Sequence, residues 1–104
     1  MTTKREITNE LNRLKDFGFT IVTFNDSRPL RSAQKNFVDH LIFNRKYIIF
    51  VEVKIGKDKL SEGQKIIGEK LSACSIFNKN TFMKYVKSVE DAKRLVERAL
   101  KGDL

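Results

Sequence analysis

One cysteine, Cys74, is the whole thiol content of the 104 residues. That excludes an internal disulfide and a zinc site built from cysteines. A lone thiol fits a reducing compartment, so the cytoplasm is the expected location. Proline is as scarce, with Pro29 alone, and tryptophan is absent. No apolar stretch approaches membrane-spanning length, and no membrane partner is expected. The opening Met-Thr-Thr-Lys-Arg-Glu leads into a helical pattern and does not read as a targeting segment. There is no repeat, low-complexity tract or linker-like stretch, which leaves one domain over residues 1–104. Acidic residues are the minority: 13 stand against 21 basic ones, for a formal charge of +8. In so small a domain that excess points to a polyanionic partner. What the chain does have is bulk for a single core, with 40% hydrophobic residues and eight Phe.

Periodicity and punctuation predict seven elements. Residues 3–17 read as a helix, with a Thr3/Glu6 capping box, an Ile7, Leu11, Leu14 stripe, and Gly18 as its stop. Thr20 to Asn25 reads as a strand, and Asp26 to Asn36 as a polar loop. Phe37 to Phe43 and Tyr47 to Ile55 read as the strands of a hairpin joined through Asn44, Arg45 and Lys46. Ser61 with Gln64 caps a helix from Glu62 to about Ala73, with Ile66, Ile67 and Leu71 on its buried side. A turn at Asn78-Lys79-Asn80 precedes a strand, Thr81 to Val86. Ser88 caps a last helix, 89–100, with Ala92, Leu95, Val96 and Leu100 inward. The order is αβββαβα. Both faces of 47–51 are apolar, so that strand is expected to be central and covered on both sides. The expected class is α/β: a mixed four-stranded sheet flanked by helices.

The strand at 47–51 ends in Glu52-Val53-Lys54. Residues two apart share a face of a strand, so Glu52 and Lys54 leave the sheet on the same side. A two-residue loop at Arg45-Lys46 sets Asp39 directly across from Glu52, with Cβ atoms roughly 4.5–5.5 Å apart. A loop at Asn44-Arg45 instead sets Asp39 opposite Phe50, one diagonal step away. In either register the two carboxylates repel unless a cation sits between them. Lys54 is one candidate and a divalent metal such as Mg²⁺ the other. Arg28, Arg31 and Lys35 precede the Asp39 strand, and Lys54, Lys57, Lys59 and Lys65 follow Glu52. The basic residues thus flank the carboxylates, as a phosphate-bearing substrate would require.

An αβββαβα order, an aspartate on the second strand and Glu-x-Lys ending the third resemble the PD-(D/E)XK nuclease superfamily, with its restriction-endonuclease-like core. Val38-Asp39-His40-Leu-Ile-Phe, Ile49-Phe-Val-Glu52-Val-Lys54, Gly56-Lys-Asp-Lys-Leu60-Ser61-Glu-Gly-Gln64 and Tyr85-Val-Lys-Ser88-Val-Glu-Asp-Ala resemble its VRR-NUC branch, the virus-type replication-repair nucleases. The likeness spans about residues 4 to 100. Val38 stands where the superfamily has a proline, which shapes backbone and coordinates nothing.

The resemblance implies Mg²⁺-dependent hydrolysis of DNA phosphodiesters, with Mn²⁺ as a substitute. It implies metal ligation by Asp39, Glu52 and the Val53 carbonyl, and a catalytic Lys54 that orients or deprotonates water. It places Gln64 at the site, where the competing role is the Ser61 cap. It also implies an acidic ligand from the first helix, Glu6 or, one turn on, Glu10; for Glu6 the competing role is capping with Thr3. Arg28, Arg31, Lys35, Lys57, Lys59 and Lys65 are the expected DNA contacts. Small members of the branch are viral or phage proteins that pair as two-fold dimers, which implies a homodimer, a host cytoplasm and branched DNA such as four-way junctions or flaps. The alternatives are a basic DNA-binding module that does not cleave, and a nuclease subunit active only with a partner chain. His40 and Cys74 are expected to pack in the interior, and Gly56 to make a turn.

Overall fold

Thr3 opens the first helix by accepting the Glu6 N–H at 3.1 Å on its hydroxyl oxygen. The computed structural model describes residues 3–24, 37–57 and 59–104. Its elements are α1 (Lys4–Leu11), continued by a 3-10 segment (Asn12–Phe17), β1 (Thr20–Thr23), β2 (His40–Phe43), β3 (Ile48–Val53), α2 (Glu62–Phe77), β4 (Thr81–Val86) and α3 (Val89–Lys101). The order is the expected αβββαβα. The helix expected over 3–17 tightens at Asn12, and Gly18 ends it with φ of 88°, the left-handed conformation that glycine adopts without strain. Arg28, Arg31 and Lys35 lie outside the described residues.

Asn44 builds the hairpin. Its Oδ1 accepts the Lys46 N–H at 2.8 Å and the Tyr47 N–H at 2.7 Å, and its own N–H donates to the Tyr47 carbonyl at 3.0 Å. The loop is therefore Arg45-Lys46, with Phe43 opposite Ile48 and His40 opposite Val51. β1 pairs antiparallel with β2, and β3 pairs parallel with β4 through the α2 crossover. Strand order β1-β2-β3-β4 puts β3 inside the sheet and leaves β4 at an edge.

One sheet face carries the core. Ile49, Val51 and Val53 pack with Ile7 and Leu11 of α1, Leu14, and Ala92, Leu95, Val96 and Ala99 of α3. Truncating Ile7 or Leu11 to Ala here would cost about 2–5 kcal/mol. The fourth inward residue of α3 is Ala99, and Leu100, expected inward, is 41% exposed. α2 lies on the other face, against β4. Gly68 is its one buried residue, because a Cβ there would fall 2.2 Å from the Tyr85 hydroxyl oxygen. Ile66, expected inside, is 46% exposed, while Ile67 and Leu71 are half-buried. β3 is therefore covered fully on one face and partly on the other, where Ile48 is exposed and Phe50 half-buried. Cys74 is exposed rather than packed. No described helix is long and apolar enough to cross a membrane.

Candidate active site

The β2–β3 ladder stops at His40–Val51, and Asp39 is the reason. In the hairpin, odd-numbered residues of β3 point their N–H groups toward β2, since the Ile48 and Lys54 N–H groups face the other way, to Asn80 and Val86. A continued ladder would give the Val53 N–H to backbone. Instead Asp39 Oδ2 accepts it at 2.7 Å. A side chain thus replaces a main-chain partner, and β2, expected from Phe37, starts only at His40. Beyond the last ladder pair the Val53 carbonyl, by the same parity, faces the Asp39 side.

The register puts Asp39 across from Glu52 at a non-hydrogen-bonded position, where opposing side chains come closest. Glu52 is 3% exposed. Phe37 stands edge-on to Phe24 and to Phe50, two residues before Glu52. Burial, the hydrogen bond to Asp39 and the Asp39 charge push the Glu52 carboxyl up to about 8, against the opposing pull of Lys54 and Lys4. At neutral pH the Glu52 carboxyl is therefore mostly protonated.

Gln64 does both things the sequence set in competition. Its Oε1 accepts the Ser61 N–H at 2.9 Å, completing the capping box that starts α2. That fixes the amide orientation and leaves Nε2 to donate to Glu52 Oε1 at 3.4 Å. The cap of a helix therefore anchors the side chain that touches the carboxylate.

Lys54 makes no ion pair with Asp39 or Glu52 among the described residues, so the sheet-edge ion pair is not formed. Its side chain lines a cleft of about 460 Å³ with Lys59, Leu60, Lys65, Tyr85 and Lys87. Lys59 and Lys65 thus stand with Lys54 as expected. Lys57 is exposed and does not line this cleft.

A second cleft, of about 390 Å³, opens beside Asp39, with Val53 and His40 in its wall and Lys4 and Thr8 of α1 across from them. Lys4 is a site residue that the sequence reading missed. The signal was there: Lys4 and Thr8 are one turn apart on α1, so they share a face. Tyr85, the register partner of Glu52 on β4, was missed as well. His40 is buried at 3% exposure, with Nδ1 at 3.1 Å from the Thr23 hydroxyl, and burial lowers its pKa against the opposing charge of Asp39.

The acidic residues expected from the first helix are engaged elsewhere. Glu6 takes a hydrogen bond from the Thr3 hydroxyl at 3.2 Å, and Glu10 pairs with Arg13. Among the described residues no third carboxylate, His or Cys joins Asp39 and Glu52. The donor set is two carboxyl groups and a carbonyl, all oxygen, and it fits a hard divalent cation that keeps several waters. No protein-family model and no curated protein matches the chain.

Proposed function

We propose that the chain is a Mg²⁺-dependent endonuclease of the PD-(D/E)XK type, in its VRR-NUC branch. Its substrate is DNA, branched or structured as in four-way junctions and flaps. The observation that carries this reading is the Asp39–Glu52 carboxyl pair where the ladder ends, with Glu52 buried and Asp39 half-buried and bonded to the Val53 N–H. Two acids held together at such a cost call for a cation. Asp39, Glu52 and the Val53 carbonyl would hold it. When bound, the metal supplies charge neutralisation at the phosphoryl oxygens and a water of lowered pKa.

The chain's own residues do the rest. Glu52 releases its proton to serve as a ligand. Gln64, fixed by its cap, holds the Glu52 carboxylate in place. Lys54 presents its ammonium to the attacking water and to the charge that grows on the phosphoryl oxygens. Lys59 and Lys65 bind flanking phosphates in the same cleft. The net change is hydrolysis: water forms one P–O bond, one P–O bond to a sugar breaks, and the leaving oxygen takes a proton.

The test is cleavage of single-stranded, duplex, flap and four-way DNA with Mg²⁺ or Mn²⁺, with Asp39→Asn beside the wild type. Metal-dependent cutting that the variant loses supports the reading. A second reading, a basic module that binds DNA without cutting, draws on the formal charge of +8. Binding across the panel with no cleavage would favour it.

A further inference from the structure

Beyond the Lys54 cleft, the edge at β4 and the neighbouring α3 carry further cations. Lys84 and Lys87 from this edge, and Arg94 and Arg98 from α3, line a groove of about 320 Å³. One acid, Asp91, shares it and is engaged twice. Its Oδ2 accepts the Lys87 N–H at 3.0 Å, and its Oδ1 takes the Arg94 guanidinium. The first is a bond to the Lys87 backbone, so Asp91 pairs with one of the four cations, Arg94, and cancels only part of the groove's charge. Arg94 and Arg98 sit one turn apart and share a face of α3.

The groove is continuous with the Lys54 cleft. Tyr85 and Lys87 line both. Tyr85 is 42% exposed and sits where it does because Gly68 has no side chain to block its hydroxyl. An aromatic ring between two lysine-lined clefts is the arrangement that lets a strand pass, with phosphates on the cations and a base against the ring.

From this we infer that the β4–α3 groove binds the phosphodiester backbone of the nucleic acid a few nucleotides from the scissile bond, with Lys84, Lys87, Arg94 and Arg98 on the phosphates and Tyr85 as the bridge to the Lys54 cleft. The inference rests on the nucleic-acid reading above and adds the path the strand takes. It extends the binding surface onto α3, to Arg94 and Arg98, just past the 85–92 segment that closed the family resemblance.

The experiment compares Arg94→Gln/Arg98→Gln with Lys93→Gln/Lys101→Gln. The two doubles remove the same charge from the same helix, but Lys93 and Lys101 do not line the groove. Binding to labelled single-stranded and duplex DNA is followed by anisotropy over a salt series. The groove double should lose affinity at least tenfold at low salt. Its log–log salt slope should be shallower by about 1.8 on duplex, or about 1.4 on single strands, at roughly 0.9 and 0.7 per phosphate contact. The larger of the two losses identifies the form the groove holds. The control double should stay within a factor of two or three of wild type. Arg98→Gln alone should take about half the slope change, which keeps the test valid if loss of the Arg94–Asp91 pair harms folding. Equal losses in both doubles, or no change in slope in the groove double, would overturn the inference and leave the nucleic-acid reading standing. A wild type that binds no DNA would overturn both.

Discussion

Gln64 Nε2 lies 3.4 Å from Glu52 Oε1 while Gln64 Oε1 holds the Ser61 N–H at 2.9 Å. One side chain thus joins the start of α2 to the carboxylate at the end of β3. Two variants separate its roles. Gln64→Ala loses both, so its stability should fall by about 0.5–1.5 kcal/mol, read by urea denaturation. Gln64→Glu keeps an acceptor for Ser61 and adds a favourable charge near a helix N-terminus, so it should stay within a few tenths of a kcal/mol of wild type. Both lose the donor to Glu52, and both should cut DNA more slowly.

Stability without metal should depend on pH in a way that Glu52 dictates. Its folded-state pKa is raised from 4.5 to about 8. The folded protein therefore binds this proton more tightly than the unfolded chain. The stabilisation is fully present below 4.5 and is lost as the pH rises through about 8. The slope reaches at most about 1.4 kcal/mol per pH unit. Denaturation in EDTA at pH 5 to 9 should show the fall, and Glu52→Gln should flatten it. An unchanged slope in that variant would remove Glu52 as the source.

His40 acts in the opposite sense at the acid end. Burial depresses its pKa below 6.5, so it favours the folded state above that value and withdraws the contribution as pH falls. His40→Ala leaves a void and removes the ring partner of the exposed Thr23 hydroxyl. A loss of about 1–3 kcal/mol is expected, with a weaker loss of stability on acidification through 6.5.

Lys54→Ala should leave folding and DNA affinity close to wild type, because one ammonium beside Lys59 and Lys65 adds little to either. Its cleavage rate should drop by two orders of magnitude or more, since in the proposed reaction its task is transition-state charge. Wild-type cutting by this variant would assign any observed activity to another enzyme in the preparation.

The hairpin was legible in the sequence, but its register stayed between loops at Arg45-Lys46 and Asn44-Arg45. The Asn44 Oδ1 bonds to the Lys46 and Tyr47 N–H groups select the first, which sets Asp39 across from Glu52. The end of β2 was not legible. It depends on Asp39 taking the Val53 N–H, a side-chain choice that no periodicity records. The buried side of α2 was misjudged for a related reason. Its approach to β4 is set by the absent side chain of Gly68 against Tyr85, while apolar spacing pointed to Ile66. α2 also runs to Phe77, four residues past the expected end, since nothing between Ala73 and Asn78 breaks a helix. The resemblance suggested an acid from α1, but local capping and an Arg13 contact claim Glu6 and Glu10.

The most direct test is single-turnover cleavage of the DNA panel by wild type, Asp39→Asn and Glu52→Gln, purified side by side, with Mg²⁺, with Mn²⁺ and with EDTA. The expected result is metal-dependent cutting by wild type, none in EDTA, and rates lower by orders of magnitude in both variants, which still bind DNA. Wild type that binds the panel and cuts nothing with either metal, or variants that cut as fast as wild type, would contradict the account.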